Sequence, residues 1–296
     1  MAERRDDLWT SLKEAGRRAS DFLFRGRLTG VVLLVLIVAL TGVVVHLVKV
    51  RLLRSAHFRV DPSTVRFGDL PEWAPERIAS ELRQRCRGLP ARPILDPLLD
   101  VELREALEGH PWVGKVDAVR RRYPNFIEAD LTLRRPLARL DVRARTLTLD
   151  REGTVLEDAP DRTPQGLLYI IRATPKAAGV IPKPGSRFQA APIQHGIAVA
   201  RELFAHQDHV ASPLLRGCEI DVSNVGRRDV VEITLRLASG TEVKWGSAPG
   251  SELGPIEIPV ADKLNSLRFV DDKYPGLKGV KWVDVTTETC SYQKDG

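Results

Sequence analysis

The chain has 296 residues, 43% hydrophobic, 28% charged and 6% aromatic, with a formal net charge of +6. Those proportions belong to ordinary folded proteins and exclude collagen-like, low-complexity and largely disordered chains; the length admits about two domains. The charge is spread thinly, with seven Lys and Arg against five Asp and Glu in residues 1–27, eighteen against thirteen in 49–140 and twenty against twenty-one in 141–296, a balance too weak to call for a nucleic-acid partner.

Residues 1–27 form a short basic tail. From Leu28 to Val48 the sequence LTGVVLLVLIVALTGVVVHLV holds 21 residues without formal charge, interrupted only by Thr29, Gly30, Thr41, Gly42 and His46. A helix of that length rises about 31 Å, close to the ~30 Å hydrocarbon core of a bilayer. Arg25 and Arg27 flank one end and Lys49, Arg51 and Arg54 the other. A cleaved signal peptide has a shorter apolar core and a small-residue cleavage site, neither of which is present. A buried core helix is the alternative, and a stretch of this length that is apolar on every face and charged at both ends argues against it. The segment is therefore read as a single membrane span. Five basic residues lie near each end, so the positive-inside rule does not fix orientation. The seven basic residues of the tail favour a cytoplasmic N-terminus with the bulk of the chain outside.

A first module is expected from about His57 to Leu137. Phe58 and Val60, then Val65 and Phe67 before Gly68, read as a half-buried strand. Ile78, Leu82 and Cys86 recur every four residues on one helical face, with Pro75 at the helix start. A second helix carries Leu99, Leu103 and Leu107 and stops at Gly109 and Pro111. Strands Val113–Arg122 and Phe126–Arg134 flank the turn Tyr123-Pro124-Asn125. Ile127, Ala129, Leu131 and Leu133 face one side of the second strand. The order is β-α-α-β-β, two helices on one face of a small sheet.

Residues 138–290 read as a β-rich second domain, and 291–296 as a C-terminal tail. Thr146–Asp150 and Thr154–Glu157 flank a hairpin turn, and Leu167–Arg172 is an aliphatic strand. The connection 173–191, rich in Pro, Gly and Ala, is expected to run over the surface. Ile193, Ile197, Ala200 and Phe204 mark a helix ending near His206. Val231, Ile233, Leu235 and Leu237 alternate before the turn Ser239-Gly240 and the strand Thr241–Trp245. Val260–Phe269 reads as a helix. Val280–Thr286 reads as the terminal strand, with Trp282 and Asp284 on one face and Val283 and Val285 on the other. The fold class expected is α+β with one N-terminal transmembrane helix.

Candidate chemistry is sparse. Cys86, Cys218 and Cys290 form no CxxC pair, which argues against a zinc or dithiol site; a Cys218–Cys290 bridge stays open. There is no GxxxxGK[ST], GxGxxG or HExxH, and Gly246-Ser247-Ala248-Pro249-Gly250 is not a GxSxG elbow. His195, His206 and His209 gather around one helix end without a fixed ligand geometry. The carboxylate pairs Asp158 with Asp161 and Asp271 with Asp272 sit in loop-like surroundings, not across a cleft. Arg120-Arg121-Arg122 and Arg134-Arg135 are compatible with a basic patch for anionic lipid or nucleic acid, but read in preference as exposed strand faces or a docking surface. No catalytic, cofactor or metal residue is assigned, and no small-molecule substrate is expected.

One succession of motifs is more specific. A basic tail and one span precede Phe58-x-Val60, Val65-x-Phe67-Gly68 and two helices. His110-Pro111-Trp112-Val113, Arg121-Arg122-Tyr123-Pro124-Asn125, Arg134-Arg135-Pro136-x-Ala138 and Leu147-Thr148-Leu149-Asp150-Arg151-Glu152-Gly153-Thr154-Val155-Leu156 then follow in order. This arrangement resembles the FtsQ/DivIB cell-division family, strongly over 110–156 and weakly after 160. The stretch between Trp112 and Pro124 is one residue longer than the family pattern, which a β-bulge at Val116–Ala118 would absorb; Leu133 stands where the family has Glu. The resemblance implies a POTRA domain followed by a β domain, in a non-catalytic organiser of septation at the inner membrane. It also implies single-span partners (FtsB/FtsL-like) that add to a terminal edge strand. Trp282, Asp284 and Thr286 resemble the family's approach to that edge, with Thr286 in place of its Arg and TETCSYQKDG in place of a Gly-containing hairpin. Two other classes remain open: a POTRA-bearing component of envelope assembly or secretion, and a cell-wall-acting enzyme.

Overall fold

The structure, a computed structural model, describes residues 30–51, 55–142, 145–157, 162–163, 166–227, 230–247 and 258–295. The tail 1–27, Leu28 and Thr29 lie outside the described residues, as do Asp158, Asp161 and Ala248–Gly250. The apolar run forms helix α1, Gly30–Arg51, with its aliphatic side chains exposed on every face. It is long and apolar enough to cross a membrane, and it continues one turn past Val48. The Thr41 hydroxyl donates to the Ile37 carbonyl at 2.8 Å, so this polar group is satisfied within the helix itself.

Next in the chain come strands β1 (Arg59–Val60) and β2 (Arg66–Phe67), helix α2 (Ile78–Cys86), strand β3 (Arg92–Pro93), helix α3 (Leu98–Glu108) and strands β4 (Val113–Arg122) and β5 (Phe126–Leu133). Two compact units divide the chain. One takes in the described residues up to Val60, Ala91–Asp96 and Tyr123–Asn125; the other holds Asp61–Pro90, Pro97–Arg122 and the rest from Phe126. Within the first unit, β1 and β3 pair antiparallel, and Ile94 N–H donates to the Phe58 carbonyl at 2.8 Å.

In the second unit β2, β5 and β4 form a sheet in that spatial order, with β2 parallel to β5 and β5 antiparallel to β4. Ile78, Leu82 and Cys86 of α2 and Leu99, Leu103 and Leu107 of α3 are buried, as are Val113, Val116, Ile127, Ala129 and Leu133 of the strands. The four-residue spacing of each helix therefore marks its core face, as the sequence predicts. The register of β4 against β5 shifts between Val116 and Ala118, where the resemblance led a bulge to be expected.

The single strand expected over 58–67 does not form. Asp61 caps a 3₁₀ turn, Pro62–Thr64, by accepting from the Ser63 N–H at 2.9 Å. That splits the segment into β1 and β2, which belong to different sheets. The reason lies in the local chemistry: Asp-Pro-Ser-Thr favours a turn, and Val60 and Val65 are an odd number of residues apart, which strict alternation does not allow.

The remainder contains β6 (Pro136–Val142), β7 (Arg145–Asp150), β8 (Val155–Leu156), β9 (Arg162–Thr163), β10 (Gly166–Leu167), β11 (Tyr169–Arg172), α4 (Pro175–Ala178), α5 (Ala191–Ala205), α6 (Ser212–Leu215), β12 (Glu219–Asp221), β13 (Ile233–Arg236), β14 (Glu242–Gly246), α7 (Val260–Lys273), β15 (Val280–Asp284) and β16 (Ser291–Lys294). Nine of these strands join one mixed sheet ordered β16-β15-β14-β13-β12-β11-β6-β7-β8, while β9 pairs with β10 alone. Leu140, Ile171, Ile220, Leu235, Val243 and Val283 bury the sheet face together with Ile193, Ile197 and Leu203 of α5 and Leu264, Leu267 and Val270 of α7.

Three expectations change here. The strand expected over 167–172 breaks at Leu168, so that its first residue pairs with β9 and the rest enters the main sheet. The connection 173–191 does not simply skirt the surface: Ala178 and Phe188 are buried, and residues 185–188 bond to the chain at 153–155. The backbone of β8 would otherwise face outward unpaired, and that segment satisfies it. Finally, Val280–Thr286 is not the terminal strand. The stretch 291–296, read as a tail, supplies β16, which pairs antiparallel with β15.

Candidate functional site

The two margins of the nine-stranded sheet differ. At β8, Val155 N–H donates to the Ser186 carbonyl at 3.1 Å, Gly185 N–H donates to the Val155 carbonyl at 2.8 Å, and Thr154 bridges to Arg187. At the other margin, Trp282 of β15 stands opposite Gln293 of β16, Val283 opposite Tyr292 and Asp284 opposite Ser291. Asp295 N–H donates to the Gly279 carbonyl at 3.0 Å. Antiparallel alternation then turns Ser291 and Gln293 toward β15 and leaves the N–H and C=O of Tyr292 and Lys294 pointing away from the sheet. No strand among the described residues pairs with that outer side.

Trp282, Asp284 and Thr286 do come together, on one face next to this margin. The Trp282 indole N–H donates to Gln293 Oε1, and Lys244 Nζ lies 4.1 Å from the centre of the Trp282 ring and 3.6 Å from Asp284 Oδ2. Thr286 donates to Asp284 Oδ1 from its N–H at 3.1 Å and from its hydroxyl at 2.7 Å. These three residues support the margin from one strand inside it. Val283 and Val285 point the other way and are fully buried.

On that other face the margin carries an aromatic and cationic cluster. The rings of Tyr274 and Tyr292 meet edge to face at 5.6 Å. Lys294 Nζ lies 4.9 Å from the Tyr274 ring, and Lys273 Nζ lies 4.1 Å from the ring of Phe269, which is exposed. The Lys294 hydrogen bond holds the Tyr274 phenol below its usual range, and the same bond raises the Lys294 ammonium. The sequence reading passed over this cluster. Its one local signal is Tyr292, a lone aromatic within a polar terminal stretch.

The other candidates disperse into structural roles. Arg120 pairs with Asp130 at 2.7 Å, Arg121 with Asp100 at 2.6 Å and Arg122 with Glu128 at 2.8 Å, so this arginine run is matched by carboxylates. Asp271 accepts from the Gly276 N–H at 2.7 Å and thereby closes the turn after α7. His206 Nδ1 lies 2.9 Å from the Glu202 carbonyl and His209 Nε2 lies 3.2 Å from Asn265 Oδ1. No group of three potential metal-binding side chains gathers among the described residues. All three cysteines are unpaired, so the Cys218–Cys290 bridge is not made; burial pushes the Cys218 thiol up to about 12 and that of Cys86 to about 11.

No protein-family model matches this chain, and no curated protein matches it.

Proposed function

We propose that the protein is a non-catalytic, single-span scaffold of the inner membrane that captures a partner strand on the outer side of β16. The β-α-α-β-β module then corresponds to a POTRA domain and the large sheet to the β domain of the FtsQ/DivIB arrangement. The partners expected on that reading are single-span division proteins of the FtsB/FtsL type. The observation that carries the proposal is the open β16 margin, flanked by Trp282 and Lys244 on one face and by Tyr292, Tyr274 and Phe269 on the other. Unpaired strand-edge N–H and C=O groups bind an extended segment through main-chain hydrogen bonds, while side-chain pockets on either face supply selectivity.

The test is a proline at an outward-facing position. Lys294→Pro removes an N–H that β15 does not use, and prolines are tolerated on edge strands where the missing donor faces away from the sheet. The variant is expected to remain membrane-inserted and folded but to lose partner co-purification and mid-cell enrichment. Lys294→Ala removes the side chain alone and is expected to keep both. Retention of the partner by the proline variant, or uniform envelope staining of the wild type, would refute the proposal.

A further inference from the structure

A second candidate site lies away from the β16 margin. Between the start of β4, the end of β5 and the turn after β7 is a pocket of 460 Å³ whose lining includes Lys115, Arg134, Arg135, Asp150, Arg151 and Glu152. Both carboxylates are already engaged: Arg134 Nη1 lies 3.0 Å from Asp150 Oδ2 and 3.0 Å from Glu152 Oε2. Asp150 Oδ1 also accepts from the N–H groups of Glu152 and Thr154, at 2.8 and 2.7 Å. Arg134 is therefore a fixed wall of the pocket.

Arg135 and Arg151 are placed differently. Their guanidinium carbons lie over the same ring, that of Phe204 at the end of α5, at 5.3 and 4.5 Å from its centre. Neither forms an ion pair with a carboxylate among the described residues. Arg135 Nε is buried and has no hydrogen-bond partner. Burial, and then the neighbouring Arg151, pull the Arg135 guanidinium below its usual range. Two like charges at one aromatic ring, neither of them ion-paired, form an arrangement that an anion would complete. The ring attracts both cations, while a ligand with several oxygens would satisfy their forks and remove their mutual repulsion. Two cations without an ion pair, a third at the rim in Lys115, whose Nζ lies 3.4 Å from Asp117 Oδ1, and a volume larger than a bare ion needs favour a phosphate-bearing group over a single carboxylate.

We propose that Arg135 and Arg151, with Lys115 at the rim, bind a phosphate group carried by a soluble phosphomonoester or by a phospholipid headgroup. The Phe204 ring attracts both guanidiniums, and Arg134, tied to Asp150 and Glu152, stays a fixed wall of the pocket.

The experiment labels the full-length protein with an arginine-specific phenylglyoxal and reads modification of individual arginines by mass spectrometry. One arm uses neutral detergent with inorganic phosphate or with chloride at equal ionic strength. The other uses nanodiscs of phosphatidylcholine alone or mixed with phosphatidylglycerol. Modification of Arg135 and Arg151 is expected to slow about tenfold, with occupancy following a simple binding isotherm, while Arg236, ion-paired to Glu242 elsewhere, is unaffected. Protection by inorganic phosphate in detergent assigns the site to soluble phosphates; protection confined to phosphatidylglycerol nanodiscs assigns it to a headgroup. A second measurement uses Arg135→Gln with Arg151→Gln. This pair is expected to unfold at the wild-type temperature or above it without phosphate, and to lose any rise in midpoint that the protecting ligand produces. Absence of protection in both arms overturns the proposal, as does a ligand-induced rise that persists in the double variant.

Discussion

At β8 the large sheet meets a strap of its own chain, with residues 185–188 bonded to 153–155 and Phe188 sunk beside them; at β16 the backbone of Tyr292 and Lys294 faces outward. A strand edge is a ready template for another strand, and folded proteins usually cover or disrupt it. Here one edge is covered by a buried aromatic anchor and, among the described residues, the other is left open between two aromatic faces. The contrast separates a covered margin from one that, on the proposed function, serves recognition.

The largest effect should come from removing the anchor of the strap. Phe188 is 1% exposed, so Phe188→Ala is expected to destabilise by about 3–5 kcal/mol, read as a lower midpoint in thermal or denaturant unfolding. Equal stability would show that the strap does not seal β8. A smaller loss, about 1–3 kcal/mol, is expected for Gly153→Ala at the turn before β8. Gly153 has a φ of +83°, and a Cβ there would lie 2.7 Å from Gln194 Nε2 and 2.8 Å from Ile197 Cδ1, combining backbone strain with a clash. At the open margin Lys294→Pro should change stability by no more than about 1 kcal/mol, in line with substitutions away from packed features, while abolishing partner capture. A loss as large as that of Phe188→Ala would mean that β16 is a structural strand.

The smallest effect concerns pH. His110 is buried near β8, where its Nδ1 accepts from the Trp112 N–H at 3.3 Å and the Trp112 indole N–H donates to the Glu157 carbonyl at 2.9 Å. Burial first, and then Arg85, hold the His110 imidazole below its usual value. The unfolded chain therefore binds this proton more readily than the folded one, and the stability linked to His110 is complete above about pH 6.5 and declines on acidification. His110→Gln should flatten that slope in unfolding experiments between pH 5 and pH 7, leaving partner capture at β16 unchanged.

Much of the local structure was legible from residue spacing. The four-residue repeats Ile78-Leu82-Cys86 and Leu99-Leu103-Leu107 marked the buried helix faces. Trp282 and Asp284 were placed on one face of their strand, opposite Val283 and Val285. Other features were hidden for identifiable reasons. The strand pattern over 58–67 overlooked the turn chemistry of Asp61 and Pro62. The polar strand 291–294 shows little alternation because an edge strand buries only part of its surface, so it read as a tail. The pairing of Arg135 with Arg151 over Phe204 joins three distant stretches of chain, and no local motif announces it.

The amino-acid order alone determined the apolar helix and, in the first module, the helices α2 and α3 and the strands β4 and β5, because these depend on periodicities shorter than a dozen residues. Only the tertiary structure decided that β16 is outermost, that residues 185–188 cover β8, and that two arginines share one phenyl ring. Strand neighbours are chosen by long-range hydrogen bonding and shared burial, and no short window of sequence contains both partners.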